Sequence, residues 1–453
     1  MSLDAPIGAA VMSNQLNSDE ARKFLRASGL VSYEDFLVDL PPKTSASSAT
    51  YSSPFSDEKR RELVRIRNLA ASTAAEDGPV YLGVGDYDHH SPSAIDRLAS
   101  QLEFQRASSE TREDLSRELY DAIFRFEQTA RRLSGMASAN VSLYRGGSAL
   151  GRACHIAAEA TGRPLVLAPD VASPEALERL NAYANLGAFE LRIIPSIAGL
   201  TDLDVLRKTL ALDGARTAAV VAPYPNFFGC LDRMGQIAEA TRAAGALFVT
   251  AVDPVALAIL RPPAEWGADF VVGDVHTVPA RREIGDVQLG FIATSRRFLE
   301  NAPTTLARRV ETESGGCGYC LARDFGRGAP ATETTHARAL DSLRTLVCLA
   351  YADARELRRV AKTSHERARL AHDVLARAGF EFLYDAPYLR EFAVKIADPD
   401  GMFSYLEKWG IVGGYKLDDG MILAFTEKRS VEEIDELVYF MTEYRDRVSR
   451  DAR

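Results

Sequence analysis

The sequence predicts an α/β protein built on a mostly parallel sheet that helices cover on both faces. Three observations predict it. Short, unbroken apolar runs such as Ala218-Ala219-Val220-Val221-Ala222 recur between 164 and 273, and a strand buried on both faces needs such a run rather than alternation. Stretches of helical periodicity separate these runs, which is the rhythm of repeated strand–helix–strand crossovers. The chain then changes character after about residue 345, where helices and strands follow the order of a small α+β domain. At 453 residues the chain is also too long for one core. The expected division is an N-terminal helical arm and linker over 1–55, a large α/β domain over 56–345 and a small C-terminal α+β domain over 346–453.

The elements follow in order. Asn17 with Glu20 three residues on makes a capping-box-like start, with Ala21, Phe24 and Leu25 on one face. Ser32 opens a second helix that Pro41-Pro42 stops. Residues 44–53, rich in Ser, Thr and Ala, read as a linker. A helix over 56–74 precedes strand-like 80–83, and another runs over 111–134 with Leu115, Leu119, Ile123, Phe126 and Leu133 at helical spacing. Helices over 148–160, 203–212 and 234–244 alternate with strands over 164–168, 191–194, 218–222, 246–253 and 268–273. Residues 289–293 return as an antiparallel neighbour. A long helix over 336–378, a strand over 391–396, a strand over 421–425 and a last helix over 430–447 complete the chain.

Composition excludes some functions. A net charge of −9 opposes general binding to nucleic acid or anionic membranes, which requires a basic surface. No apolar run approaches the ~20 residues of a membrane span. Residues 1–15 hold no Lys or Arg and carry Asp4, unlike a secretory or transit leader. Five scattered cysteines make no disulfide framework and suit a cytoplasmic location.

Several local groups could carry chemistry. Gly146-Gly147-Ser148 sits where a helix begins, so backbone N–H groups and a hydroxyl are placed to hold an anion such as a phosphate; a glycine turn with a serine cap has the same pattern. Pro223-Tyr-Pro-Asn-Phe-Phe-Gly229 follows a strand at the carboxyl edge of the sheet, where open α/β folds bind ligands, and Asn226 can both donate and accept there. It could equally be a rigid turn. His89-His90 follow Asp86-Tyr87-Asp88 as a polar cluster, with surface or capping roles as the alternative. Cys317 and Cys320 have dithiol spacing, but no second Cys-x-x-Cys exists to complete a zinc set. No metal is expected, and ordinary loop cysteines are the simplest reading.

Two strand ends bring in a resemblance. Asp253 ends one strand and His276-Thr277 end the next. The pair resembles enzymes that use pyridoxal phosphate (PLP) on the aminotransferase fold (fold type I), where Asp holds the pyridinium and a His-Lys carries the Schiff-base lysine. Thr277 has no amine to condense with an aldehyde. More broadly, Tyr224 to Gly229, Val252-Asp253-Pro254, Gly267-Ala268-Asp269, the run from Tyr81 to Pro92, Asn140 to Ala149, Gly410 to Tyr415 and Thr426-Glu-Lys-Arg are similar to subunit 1 of the glycine cleavage system P-protein, glycine dehydrogenase (decarboxylating). The similarity covers essentially the whole chain.

The resemblance implies a PLP-transferase-like large domain and a subunit that lacks the lysine. A second, lysine-bearing subunit is then the partner and holds PLP. The reaction is decarboxylation of glycine with transfer of the aminomethyl group to the lipoyl arm of H-protein, classed with the oxidoreductases. This chain would be inactive alone. His89, His90 and Asn226 become candidate contributors to the partner's site, and Ser148, Asp253 and His276 a vestigial cofactor pocket. Departures fall at 105–114, at 278–286 and at Ala331-Thr-Glu-Thr334. They keep two alternatives open: a divergent paralogue acting with its own PLP subunit on another amino acid or carrier, and a structural or regulatory pseudoenzyme subunit.

Overall fold

A computed structural model describes residues 78–90, 117–142, 146–274, 290–299, 305–311, 317–323, 350 and 354–451. The expected arm helices, the linker, the helix over 56–74, the divergent runs at 105–114, 278–286 and 331–334, and both His276 and Thr277 lie outside the described residues. The chain groups into two compact units, one of residues 89–227 and 231–358, the other of residues up to 88, 228–230 and from 359 onward.

In the larger unit, helix α1 (Arg117–Ser134) leads into strand β1 (Ser138–Ser142) and helix α2 (Gly146–Thr161). Strand β2 (Leu165–Pro169), helix α3 (Pro174–Asn185) and strand β3 (Glu190–Ile194) follow. A hairpin of β4 (Ser196–Ile197) and β5 (Leu200–Thr201) comes next, then helix α4 (Leu203–Asp213) and strand β6 (Thr217–Tyr224). Helix α5 (Met234–Ala243) separates β6 from β7 (Leu247–Val252), and β8 (Phe270–Asp274), β9 (Gly290–Thr294), β10 (Thr305–Glu311) and β11 (Cys317–Arg323) complete the strands.

Seven strands form one sheet in the order β1-β9-β8-β7-β6-β2-β3. From β8 through β3 the neighbours are parallel. β9 runs antiparallel to both β8 and β1, as expected of residues 289–293. Every residue of β2 and β6 is buried, whereas β3 at the sheet edge buries only Ile194. That contrast is what the unbroken apolar runs encode. Helix α2 packs across the sheet through Ala149, Ala153 and Ala157, which meet a core including Val249, Phe270 and Ile292; small side chains let its backbone approach the sheet closely. Ser173 caps α3 by accepting the Ala176 N–H, with Pro174 at the first helical position. Asp202 caps α4 through the N–H groups of Asp204 and Val205.

Two hairpins in this unit carry no strong sequence signal. β4–β5 turns through Ala198 (φ 52°) and Gly199 (φ 76°), a pair outside the usual Asn-Gly signature. β10–β11 pairs Arg308 with Cys320 and Glu311 with Cys317, so both cysteines occupy strand positions and the loop reading is corrected.

The smaller unit takes in helix α6 (Ala354–Arg377) from residue 359 on, strand β12 (Glu391–Lys395), helix α7 (Pro399–Lys408), strands β13 (Tyr415–Leu417) and β14 (Gly420–Ala424), and helix α8 (Val431–Asp451). Its sheet is antiparallel in the order β12-β14-β13. Residues from far upstream join it: the Tyr81 N–H donates to the Val412 carbonyl at 2.9 Å, and the Ala424 N–H to the Tyr81 carbonyl at 2.9 Å. The Tyr81 side chain is fully buried among Phe392, Phe425, Leu437 and Phe440, and its hydroxyl reaches the Glu433 carbonyl at 2.7 Å. Burying aromatic side chains of this size contributes about 2–3 kcal/mol each. The 80–83 run is therefore held by C-terminal strands.

Candidate functional site

Parallel strands place the ends of β2, β6, β7 and β8 along one edge of the sheet. The chain leaves β2 toward β3 and then returns to the other side of β2 with β6. Such a reversal opens a crevice at the carboxyl ends of the two strands. Asn226 lies there, two residues beyond β6. The Phe227 N–H donates to the Val171 carbonyl at 2.9 Å, joining the loops after β6 and β2. Asn226 is buried and its Nδ2 donates to the Gly199 carbonyl at 2.7 Å, so the loop is tied to the β4–β5 turn as well. The fully buried Asp232 accepts the Thr201 N–H at 2.9 Å and the Thr201 hydroxyl at 2.5 Å. Burial is the main influence on that carboxyl and pushes its pKa up, against the pull of these donors.

Asp253 follows β7 on the same edge and is half-buried. Its Oδ1 accepts the Val255 N–H at 2.9 Å in an Asx turn. Ser148 lies in the first turn of α2, behind Gly146 and Gly147. Fit to a pyridoxal group is decided by the donor set: a carboxylate at Asp253 could face a pyridinium, but position 277 offers a hydroxyl where an attached cofactor needs an amine. A threonine there does not fit a covalently attached PLP. Among the described residues no His, Cys, Asp and Glu side chains gather into a metal-ligating group of three, and no helix is long and apolar enough to cross a membrane.

The smaller unit holds a second constellation, in the run before His89-His90. Gly83 to Asp86 make a tight turn closed by the Asp86 N–H on the Gly83 carbonyl at 3.1 Å, with Val84 at φ 61° and Gly85 at φ 95°. Glu391, buried at the start of β12, grips this turn. Its Oε2 accepts the Val84 N–H at 2.8 Å and its Oε1 the Tyr87 hydroxyl at 2.5 Å. The Arg390 guanidinium stacks 3.3 Å from the centre of the Tyr87 ring. Asp88 is fixed next. Its carbonyl accepts the Thr426 hydroxyl at 2.6 Å, and its carboxylate pairs with Lys428 at 2.6 Å and Arg429 at 2.9 Å. His89, the next residue, is buried, and His90 is exposed.

The glycine that ends the 223–229 motif meets the same glutamate. A Cβ at Gly229 (φ +79°) would lie 2.3 Å from the Glu391 carbonyl oxygen, and one at Gly83 would lie 2.2 Å from Glu391 Oε2. Phe228 packs on Tyr384 with ring centres 4.7 Å apart, and Cys230 bridges to Tyr388. Sequence reasoning singles out both glycine-bearing motifs but not Glu391, on which they meet. A model of the family described as "Glycine cleavage system P-protein" matches residues 15–441.

The chain belongs to the glycine cleavage system P-protein family.

Relatives in that family extend along nearly the whole chain. A "Probable glycine dehydrogenase (decarboxylating) subunit 1" of Syntrophomonas wolfei is 33% identical over 426 residues, covering 92% of this chain and 96% of its own. The protein of the same name from Listeria innocua is 30% identical over 439 residues, with 93% and 97% covered. Among solved structures, a glycine decarboxylase (P-protein) in inhibitor-bound form matches at a TM-score of 0.72 and 29% identity, over 94% of this chain and 99% of that one. A NifS-like protein, 12% identical, matches at a TM-score of 0.59 over 82% and 100% and speaks to the fold alone.

Proposed function

We propose that this chain is the lysine-less subunit of a glycine-decarboxylating heteromer. A lysine-bearing partner holds PLP, and this chain completes and supports the partner's site while the aminomethyl group passes to a lipoyl carrier such as H-protein. The observation that carries the reading is threonine at 277, in a chain that aligns with subunit 1 relatives over nine-tenths of its length. His89 and His90 are the proposed contributors to the joint site. Asn226 contributes through the loop it anchors, and Ser148, Asp253 and His276 are inherited from a cofactor-binding ancestor. We place the assembly in the cytoplasm, consistent with the few scattered cysteines.

Co-expression with a lysine-bearing P-protein homologue from the same cell tests this. The pair should release CO₂ from glycine with a lipoyl carrier, and neither chain should do so alone. After incubation with PLP and borohydride, mass spectrometry should find no pyridoxyl-lysine in this chain. Decarboxylation by the chain alone, or such an adduct on it, would overturn the assignment. The charged run at 105–114 and the altered run at 278–286 favour a second reading, in which the dedicated partner acts on a different amino acid or carrier. It predicts an active pair for which glycine is a poor substrate.

A further inference from the structure

Glu391 is a buried carboxylate that grips the segment leading into His89-His90. We propose that Glu391 is a positioning residue, which fixes the turn at 83–88 and so the point from which the chain enters His89-His90. The inference rests on the reading that one of these histidines contributes to the heteromer's reaction.

Three observations carry it. The first is strain. A β-branched residue at φ 61° is a genuine backbone outlier, and such residues persist only where the surroundings over-determine them. A turn kept only for connectivity would take Gly or Asn at 84. The Val84 N–H bond to Glu391 Oε2 supplies the constraint. The second is density of anchoring: Val84, Tyr87 and Asp88 are held from outside the turn by Glu391, Arg390, Thr426, Lys428 and Arg429. The last anchor is the residue immediately before His89. The third is that Glu391 is itself immobilised. Its backbone lies so close to Gly229 that a Cβ there would be 2.3 Å from the Glu391 carbonyl oxygen, and it pairs with Ala424 in the β12–β14 ladder. A buried carboxylate with a bond from one turn on each oxygen therefore transmits the geometry of β12 to the segment ahead of the histidines.

The experiment is a double-mutant cycle in the reconstituted heteromer. His89→Asn and His90→Asn are made singly, and each is combined with Glu391→Gln, which keeps side-chain volume but weakens the grip. The expected result is that one histidine variant lowers kcat and that Glu391→Gln lowers it about ten-fold or more, since small misplacements of a contributing group are costly. The KM for glycine and the affinity for the partner subunit should hardly change. On the histidine-variant background, Glu391→Gln should cost nothing further. If neither histidine variant lowers kcat, the underlying reading fails. If a histidine variant lowers kcat while Glu391→Gln does not, or the two losses multiply, or Glu391→Gln acts only on partner affinity, the positioning role fails and the reading stands. Should Glu391→Gln fold poorly, Tyr87→Phe, which removes one hydroxyl from the same carboxylate, carries the cycle with the same outcomes.

Discussion

The side-chain amide nitrogen of Asn226 donates to the carbonyl of Gly199 at 2.7 Å, so the loop after β6 is bolted to the β4–β5 turn. Asn226 is buried, and replacing it with Ala leaves a carbonyl without this donor at a cost of about 1–3 kcal/mol. Asn226→Asp sets an acceptor against an acceptor and should cost more. Urea midpoints of the purified chain measure both, and an unchanged midpoint in Asn226→Ala would show that the bond contributes nothing.

Thr201 and Asp232 brace the same hairpin. Thr201→Val preserves shape but removes the hydroxyl that donates to the fully buried carboxylate. The expected loss is about 1.5–3 kcal/mol, the range for hydrogen bonds to charged groups. Combined with Asn226→Ala, the losses should depart from additivity because both act on one turn. Strict additivity would mean that the hairpin is held elsewhere.

Acid should weaken the smaller unit. His372 lies flat on Phe382, with ring centres 3.7 Å apart and planes 10° from parallel. Burial pushes its pKa down to about 4. An unfolded histidine titrates near ~6.5, so between these values the unfolded chain takes up a proton that the folded one refuses. Stability is thus fully present above about pH 6.5 and falls as the pH drops toward 4, by at most about 1.4 kcal/mol per unit from this group. His365, buried with Nδ1 2.7 Å from the Leu389 carbonyl, is shifted down by burial as well. Thermal midpoints at pH 7 and pH 5 should differ less in His372→Gln than in the unaltered chain; equal differences would acquit His372.

Gly229→Ala should be among the most damaging single-methyl changes available. The position combines φ +79° with backbone 2.3 Å from where the methyl would sit. Left-handed strain costs about 1 kcal/mol, and a clash with backbone cannot be relieved by a side-chain rotation, so a total of roughly 3 kcal/mol or more is expected. Yield of soluble chain and the urea midpoint are the measurements. A variant as stable as the parent would mean that the close packing of Gly229 on Glu391 is dispensable.

The sheet was legible because its strands are buried on both faces. The run 218–222 foretold β6, whose full extent is Thr217–Tyr224, and the antiparallel return of 289–293 is β9. The hairpins were not legible: Ala198-Gly199 is a weak turn signal, and β10–β11 carries mixed charge without clean alternation. For the site, the motifs at 81–90 and 223–229 could be read as loops that matter. What holds them could not, since Val84 and Tyr87 meet Glu391 across 307 and 304 residues of sequence. A glutamate opening a strand has no local signature for that task. For Asn226 the place at the carboxyl edge of the sheet is legible from the motif, while its bond to the Gly199 carbonyl is not.

Gly83 and Gly229 both leave room for the same glutamate, which has a consequence for how the family can diverge. Position 391 cannot change on its own without loosening a strained turn, Gly83 cannot gain a side chain while the glutamate remains, and Gly229 is excluded from one by the backbone of residue 391 itself. Positions 83 and 391 are therefore coupled through the side chain, and position 229 is tied to the strand backbone. Lineages should therefore inherit the glycine at 83 and the glutamate at 391 as a single character, with 229 held as glycine whatever stands at 391.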